Sequence, residues 1–489
     1  MVSLKWGIWP MKHIHFFTPF GFAFLLGASF SQASVDSVPG ERDLQADIPI
    51  HNLNYRSSID APEIFRRSEL VFHHFQIEPE SDSQPQLARF ERAQTLPAAM
   101  ALLPILDPSS QARRFFEFSN RWDGFLDRDS QKYRDFSLDF AQAPREKVSP
   151  SGLLSRLQKI ARASHPNQPL RGLRVALDPG HMGGSDWDAR TGKWVKDQSG
   201  HRISEGVLNL QTALLLEADL VALGANVMIT HRELAPVSSV PYERLDLNSF
   251  ARAELRNVSL ASWFQSLLER GSDEASLGNI FGGSTSVKHL FSESSRANYF
   301  ILHADLDARS DQIEKFDPDI TLIIHYDAAV TANLPNDVNP QGRDAVKTYL
   351  PGAFFPDEFA TREERKNFSR HLLDPEAWDA SLKLAQSVIH SLTTGLNLSP
   401  EAYGGDKNVV PISPGVFARN LALTRKLHSH AITYVECLYY NYPGEFSALL
   451  KTRHPLRAGD QAIPYSDRVK QVADSLKDSI LRFVSEYKI

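Results

Sequence analysis

The stretch LDPGHMGG, residues 177–184, decides how the middle of this chain is interpreted. A mostly apolar run, 173–177, ends in Asp-Pro-Gly-His and two further glycines, which is typical of a buried strand followed by a tight turn. His181 stands in that turn, just past the strand. It is either an ordinary turn residue or a group with chemistry, namely a metal ligand or an acid/base group.

The residues that follow predict a βαβ unit. A helix is expected over 207–223, where Gly224 ends it, and a second strand over 225–230. Such a unit pairs its strands in parallel through a right-handed crossover. Further buried strands are predicted at 320–324 and 431–435, followed by an amphipathic helix over 467–484.

This alternation predicts an α/β fold class, with a mostly parallel sheet flanked by helices over 170–487. Two stretches interrupt it and are interpreted as insertions, at about 233–300 and 330–425. The second of these contains a predicted helix over 375–396.

The residues before 170 are predicted to form three segments. Residues 1–33 combine Lys12, an apolar stretch over 16–30 and a small-residue cleavage site, which indicates a secretory signal peptide. Residues 34–58 are polar and contain prolines, so they are interpreted as a linker. Residues 59–165 are predicted to form a small, mainly helical region without recognisable chemistry.

Composition restricts the partners and the compartment. The 53 basic and 59 acidic side chains leave a formal charge of −6, so nothing suggests nucleic acid as a partner. Cys437 is the only cysteine, which excludes an intramolecular disulfide and leaves no cysteine after the predicted signal for a lipid anchor. No second long apolar segment predicts a membrane span. We expect a periplasmic or secreted protein.

Four polar groups are predicted to meet at one edge of the sheet. In open α/β sheets the active site lies at the carboxyl ends of the strands. His181 follows the first strand, and His325 and Glu436 follow two later ones. Glu205 stands at the start of the helix after the first strand.

Two histidines and one carboxylate form a three-ligand set that suits zinc and leaves one coordination position open. A second carboxylate beside such a site can act as general base and acid, and Glu436 is the candidate. Each residue also has an ordinary alternative. His181 could be a turn residue, Glu205 a carboxylate favoured at a helix N-terminus, and His325 a core histidine.

The order of these blocks resembles the zinc-dependent N-acetylmuramoyl-L-alanine amidases of the type-3 family. That family has Asp-Pro-Gly-His-Gly-Gly after its first strand, which LDPGHMGG matches with Met182 inserted. EGVLNLQTALLLEADLVALGANVMITHRE, TLIIHYDAA and YVECLYYNYPGEFSALL are similar to the three later blocks. Tyr326, Cys437 and Leu438 replace residues that are usually small in the family.

The resemblance implies one zinc ion per chain, bound by His181, Glu205 and His325, with Glu436 as the catalytic glutamate. It implies hydrolysis of the amide between N-acetylmuramic acid and L-alanine, in cell-wall remodelling or lysis. Asn441 belongs to the last block and is a candidate substrate-binding residue. Arg419 is another, because its guanidinium suits a stem-peptide carboxylate; a structural ion pair is the alternative.

Two other functions stay open. A zinc carboxypeptidase acting on wall peptides also uses two histidines and a glutamate, although its first two ligands are usually close in sequence. A non-catalytic peptidoglycan-binding protein could retain the same fold. The resemblance further suggests that the insertion at 233–300 carries a lid, with a helix over 260–268, that a protein activator displaces.

Overall fold

The computed structural model describes most of the chain after residue 87. The described residues are 88–93, 96–110, 112, 116–118, 121–127, 132–140, 152–245, 293–329, 338, 344–354, 362–402 and 409–488. The predicted signal peptide, the linker and the helix predicted at 260–268 lie outside these residues. Within them, no helix combines the length and the apolarity needed to cross a bilayer.

The N-terminal elements form a sheet and two helices. In chain order they are β1 (Ala88–Ala93), α1 (Leu96–Leu106), β2 (Phe116–Phe118), β3 (Arg121–Asp127), β4 (Lys132–Phe140) and α2 (Leu153–Ala163). The four strands form one sheet in the order β1-β4-β3-β2. This corrects the mainly helical region predicted for 59–165. The physical reason is visible in β4, where Phe136, Leu138 and Phe140 alternate with polar residues at the period of a strand.

The central elements contain the predicted βαβ unit. They are β5 (Arg174–Pro179), α3 (Ser185–Thr191), β6 (Trp194–Lys196), β7 (Arg202–Ser204), α4 (Glu205–Ala222), β8 (Asn226–Ile229), α5 (Glu293–Phe300), α6 (Leu306–Phe316) and β9 (Ile320–Asp327). β5 and β8 pair in parallel, as the pattern around α4 predicts.

The remaining elements complete the sheet and one of its helical layers. They are β10 (Ala345–Pro351), α7 (Arg362–Leu373), α8 (Pro375–Leu396), β11 (Ser399–Pro400), β12 (Val409–Ser413), β13 (Val416–Arg419), α9 (Ala422–Lys426), β14 (Ala431–Tyr439), α10 (Pro443–Leu449), β15 (Thr452–His454), β16 (Arg457–Ala458), β17 (Gln461–Ala462), β18 (Tyr465–Ser466) and α11 (Asp467–Ser485).

The central sheet has eight strands and is mostly parallel, which confirms the predicted fold class. Its order is β12-β13-β10-β14-β9-β5-β8, with β11 beside β10. β14, β9, β5 and β8 are parallel to their neighbours in this series. β10 runs antiparallel to β14, and β12 runs antiparallel to β13.

The segment 330–425 is not a simple insertion, so this part of the prediction is wrong. β10, β12 and β13 belong to the central sheet, and β10 pairs directly with β14. The predicted helix over 375–396 is present as α8, with the side chain of Asp374 accepting a hydrogen bond at its N-terminus. The three strands were missed because they are separated by turns and depend on pairing with distant neighbours.

Both faces of the central sheet are buried by packing against helices. On one face, Val175 and Leu177 pack in the main core with residues of α4, α8 and α11. On the other, Ala176 and Ile323 pack with residues of α6 and α9. Alternate residues of a strand point to opposite faces, so a strand buried on both faces is apolar throughout.

Candidate metal centre

The turn that carries His181 is held by buried hydrogen bonds. His181 has a φ of 59°, in the left-handed region that non-glycine residues seldom adopt. Asn209 Nδ2, on α4, donates to the carbonyl of Gly180 at 2.7 Å. Arg309 Nη2, on α6, donates to the carbonyl of His181 at 3.3 Å. Two helices therefore fix the backbone on either side of the candidate ligand.

α4 begins where this turn packs against it, which explains the Glu-Gly pair at its start. A Cβ on Gly206 would lie 2.6 Å from the carbonyl carbon of Met182, closer than real contacts allow. The turn and the helix therefore approach to a distance that only glycine permits. Glu205, the residue before, is 4% exposed and points into the same region as His181.

A short hairpin, β6 and β7, positions the carboxylate of Glu205. The backbone N–H of Glu205 donates to the carbonyl of Lys193 at 3.0 Å. Lys193 Nζ lies 4.0 Å from Glu205 Oε2 in a mostly buried setting. A cation thus supports one carboxylate oxygen, while the other faces the histidines.

His325, at the end of β9, completes the group. His325 Nδ1 lies 2.9 Å from Glu205 Oε1, and His181 Nε2 lies 3.3 Å from the same oxygen. The ligand atoms of the three residues all lie within 4.8 Å of one another. The structure therefore brings together three side chains that are up to 144 positions apart, since 325 − 181 = 144.

The protonation states of these groups suit a cation. Burial lowers the pKa of His181, and it lowers the pKa of His325 to about 4, so both imidazoles are neutral at pH 7. Burial alone would raise the pKa of Glu205. The hydrogen bonds of His181 and His325 and the charge of Lys193 instead hold it well below its usual range. Neutral imidazoles and an ionised carboxylate are the forms that coordinate metals.

The residues present could hold a divalent metal ion, and their donor types include those of zinc sites. Ligand atoms bound to zinc at about 2.0–2.1 Å lie roughly 3.3 Å apart in a tetrahedral arrangement. The observed contacts of Glu205 Oε1 with the two histidines, 2.9 and 3.3 Å, are of this size. Two imidazoles and one carboxylate also match the donor types that zinc accepts. His181, Glu205 and His325 could therefore form a metal site.

Glu436 lies beside this group on the adjacent strand. Its register partner on β9 is His325, so both side chains start from the same face of the sheet, about 4.8 Å apart. Glu436 Oε2 is buried and has no hydrogen-bond partner among the described residues. Burial raises the pKa of Glu436 well above its usual range, and the charges of Asp327 and Glu205 raise it further.

A cation on the next strand faces Glu436 from the other side. Lys347, on β10, is the register partner of Glu436, forms an ion pair with Asp327 and donates to Tyr439 Oη at 2.8 Å. Burial lowers the pKa of Lys347, but the charge of Asp327 holds it well above its usual range. The charge of Lys347 favours the ionised form of Glu436, in opposition to burial.

The ring of His325 is also supported by an aromatic stack. Tyr434 lies on the face of the imidazole with ring centroids 4.2 Å apart and the planes inclined by 17°. Tyr434 stands two residues before Glu436 on β14, so the two side chains share one face of the sheet. The same strand therefore orients a candidate ligand and supplies the candidate base.

Arg309 is the main supporting residue of the site that the sequence patterns do not indicate. It is 1% exposed, and its Nη1 donates to Asp178 Oδ1 at 3.1 Å and to the carbonyl of Pro179 at 2.7 Å. Its Nε donates to Asp305 Oδ2 at 2.7 Å. The only sequence signal is the spacing of Asp305 and Arg309, four positions apart on a helix.

The substrate-binding role of Asn441 stays a prediction, and the structure shows its amide engaged by the protein's own backbone. The residue is 1% exposed, and both polar atoms of its amide bond to the backbone of Ala329, at 2.7 and 2.9 Å. Asn441 thus holds the segment after His325. Arg419 lies on β13, three strands from β9, and its guanidinium carbon is 5.1 Å from the ring centroid of Tyr349. Arg419 stays a candidate substrate-binding residue, but it lies away from the three candidate metal ligands.

The departures from the family pattern leave the site intact. Met182 is 1% exposed and packs in a cluster with Trp187 and Phe300. Tyr326 points away from the ligands, because its hydroxyl lies 2.7 Å from Thr212 Oγ1 inside the core. Cys437 is fully buried, and burial raises the pKa of its thiol well above the usual range, so it is an inert core residue.

Together, fold and site define an α/β protein with a His–Glu–His candidate metal centre and an adjacent protonatable carboxylate. No family model and no curated protein matches the chain in sequence. Several solved structures are similar in shape. The amidase Ami1 from Mycobacterium smegmatis has a TM-score of 0.33 and 15% identity, over 65% of this chain and 98% of its own.

Two further structures have comparable scores. The N-acetylmuramyl-L-alanine amidase Ami1 from Mycobacterium abscessus has a TM-score of 0.32 and 16% identity, over 64% of this chain and all of its own. CwlD from Clostridioides difficile, solved with the GerS lipoprotein, has a TM-score of 0.32 and 12% identity, over 64% of this chain and all of its own. Because these scores and identities are low, the function has to be argued from the residues of the site.

Proposed function

We propose that this protein is a zinc-dependent N-acetylmuramoyl-L-alanine amidase, which hydrolyses the amide between N-acetylmuramic acid and L-alanine in peptidoglycan. One observation carries the proposal. The ligand atoms of His181, Glu205 and His325 lie within 4.8 Å of one another, and Glu436 is the register neighbour of His325. Three ligands with an open position and a nearby carboxylate are the components of a metal-dependent hydrolase.

The chain's own residues divide the chemistry between them. His181, Glu205 and His325 would hold the ion, which supplies Lewis-acid chemistry for the attack of water on an amide carbonyl. Glu436 accepts a proton from the attacking water and passes it to the leaving nitrogen of L-alanine. A carboxyl group with a raised pKa holds that proton more readily than an ordinary glutamate does.

The substrate is assigned by the sequence rather than by the geometry. The geometry supports hydrolysis of an amide, and the family resemblance of four blocks in one order supports the muramyl amide. An exported protein is expected from the predicted signal peptide over 1–33, and a periplasmic or secreted location would place it beside its substrate.

Arg309 does not supply the arginine that the carboxypeptidase alternative calls for. Such enzymes usually have an arginine near the metal that binds the terminal carboxylate of the substrate. Arg309, the buried arginine beside the metal turn, is fully engaged by Asp305, Asp178 and backbone carbonyls. Its guanidinium holds the protein's own turn and does not face a substrate.

Digestion of purified sacculi tests the proposal directly. The products are analysed by mass spectrometry, with and without a chelator, and with zinc restored. Release of intact stem peptides with a free L-alanine amine, lost with chelator and regained with zinc, is the expected result. Cleavage within the peptide would instead identify a carboxypeptidase or endopeptidase, and binding without release would identify a wall-binding protein.

Control by a protein activator stays a prediction from the sequence. A variant that lacks 246–292 tests it and keeps Tyr242 and Arg296, which pack against each other. If these residues carry a lid, the shortened protein releases stem peptides faster than the full chain. Unchanged or lost activity would contradict the lid.

A further inference from the structure

A cavity of about 470 Å³ opens directly beside the turn that carries His181. It lies between the start of α3 and the segment 234–243, and Gly183 and Gly184 form part of its lining. His181 is only two positions before these glycines, so the cavity and the candidate metal centre are neighbours. Its volume is within the range of about 300–1,000 Å³ that is usual for ligand pockets.

The wall of the cavity and the metal turn share one buried support. The backbone N–H groups of Val237 and Ser238 donate to Asp305 Oδ1, at 2.5 and 3.3 Å. Asp305 accepts from Arg309, which also donates to the carbonyl of His181. Because one ion pair holds both sides, the spacing between cavity and metal centre is preorganised for a ligand that spans them.

Two aromatic residues that line the cavity, Trp187 and Tyr242, belong to a buried aromatic cluster. Trp187 and Tyr242 lie 5.5 Å apart, and each packs on Phe300, at 5.6 and 5.4 Å between ring centroids. The guanidinium carbon of Arg190 is 4.8 Å from the ring centroid of Tyr242. Met182 belongs to the same cluster, so the residue inserted in the motif packs with these lining residues.

The lining of the cavity also contains polar groups of several types. They are hydroxyls, carboxylates and one side-chain amide, contributed by Ser185, Asp186, Ser239, Glu243 and Gln461. Such groups bond well to the hydroxyl and acetamido groups of a sugar. The two carboxylates outnumber Arg190, which gives the lining a formal charge of −1 and disfavours an acidic peptide.

The order of the strands in the central sheet indicates the direction in which a substrate would lie across the metal centre. The cavity lies beyond β5 and β8, at one end of the sheet, because it is built from the turns that follow these strands. On the opposite side of the metal centre, β14 is followed by β10 and β13. Arg419, on β13, pairs with Pro351, four positions along β10 from the partner of Glu436. A cationic group on that side suits the carboxylates of a stem peptide.

We infer that this cavity binds an N-acetylated sugar of the glycan strand, on the acyl side of the amide that is cleaved. The stem peptide then extends across β14 and β10. This inference rests on the proposed function and adds to it the site that recognises the glycan.

Filling the cavity tests the inference. Val240 lines the cavity and is 45% exposed, so Val240→Trp introduces bulk without disturbing the core. Val221→Trp is the matched control, because Val221 is 52% exposed on α4 and is not part of the lining. Glu243→Ala is a second, milder change at the opening.

Two readouts separate binding from catalysis. Binding of an N-acetylglucosamine trimer is measured by calorimetry in the Glu436→Gln background, and hydrolysis is measured on a disaccharide-peptide and on a lactyl-peptide without sugar. We expect Val240→Trp to weaken trimer binding and hydrolysis of the disaccharide-peptide by about tenfold or more, which corresponds to roughly 1.4 kcal/mol. Hydrolysis of the lactyl-peptide and all properties of Val221→Trp should stay unchanged.

The outcomes also distinguish the inference from the proposed function. If the protein releases stem peptides from sacculi but binds no trimer, or if Val240→Trp affects both substrates equally, the inference is wrong and the proposed function stands. If the trimer binds and Val240→Trp weakens its binding, but no stem peptide is released, the amidase function and the acyl-side placement are wrong, whereas the sugar site itself stands.

Discussion

The imidazole of His325 lies directly over Gly180, so closely that a methyl group on Gly180 would be 1.9 Å from His325 Nε2. Gly180 is the residue before His181, and its N–H donates to the carbonyl of Ile324 at 2.8 Å. The two strands that carry the histidines are therefore joined at the point where the candidate ligands meet. The glycine of the Asp-Pro-Gly-His motif is required by this contact.

Gly180→Ala should displace the His325 ring and reduce the zinc content of the purified protein. Metal analysis after dialysis against a weak chelator measures this effect. Gly444→Ala is the control, because a Cβ there would meet its nearest neighbour at an ordinary 3.5 Å. Equal zinc retention in both variants would show that His325 is not a ligand in its present position.

Glu436→Gln should abolish hydrolysis while zinc is retained. General acid–base groups contribute about 10²–10⁴-fold to rate, so a loss of at least this size is expected. Peptide release from sacculi and zinc content are measured on the same preparation. Asp311→Asn removes a carboxylate from the exposed surface of α6 and should leave both unchanged. Loss of zinc in Glu436→Gln would reassign Glu436 as a ligand.

Arg309→Met should destabilise the protein strongly, because it leaves Asp305 and Asp178 buried without their cation. Breaking a buried pair by removing one partner costs about 3–5 kcal/mol. Denaturant unfolding at pH 7 measures the free energy of unfolding. Arg457→Met, at an exposed position, is the control and should change it little. A change below about 1 kcal/mol in Arg309→Met would show that the pair contributes little.

His371 should make stability fall in acid, independently of any metal. It is 6% exposed, its Nε2 lies 3.0 Å from the carbonyl oxygen of Arg425, and burial lowers its pKa from 6.5 to about 4. Below pH 6.5 the unfolded chain binds the proton and the folded protein does not. The contribution of His371 to the free energy of unfolding is therefore fully present above pH 6.5. It falls by on the order of 3 kcal/mol as the pH decreases from 6.5 to about 4.

His371→Gln removes this titration and can still donate to Arg425. The free energy of unfolding of the variant should depend less on pH between 6.5 and 4 than that of the natural protein. Other buried histidines with lowered pKa, including His430, leave a residual dependence. His390→Gln, at an exposed position of α8, should reproduce the natural profile. Identical profiles for all three proteins would show that folding does not lower the pKa of His371.

Local patterns were sufficient for the elements whose character depends on their own residues. The βαβ unit around α4 follows from one apolar strand, one helix and a terminating glycine. α8 has the predicted bounds because Asp374 and Pro375 start it and Asn397 ends it in a left-handed conformation. The four groups at the carboxyl edge could be predicted because parallel strands bring their ends together.

The elements that were missed depend on partners far away in the chain. β10 is a strand because β14 and β13 pair with it, and the sheet at 88–140 is formed in the same way. Asn441 shows the same limit at the level of a side chain. Its place in the motif could be read from the sequence, but the direction of its amide, toward Ala329, could not.

The sequence by itself determined the layers of the fold and the residue types of the site, because periodicity and strand ends are properties of neighbouring residues. Only the tertiary structure decided which groups support that site. Burial of Arg309 between three elements, contact of Gly180 with His325, and the cavity beside Trp187 arise from surfaces that meet only after folding. Contacts between distant segments leave no periodic signal in the chain, so only the folded arrangement reveals them.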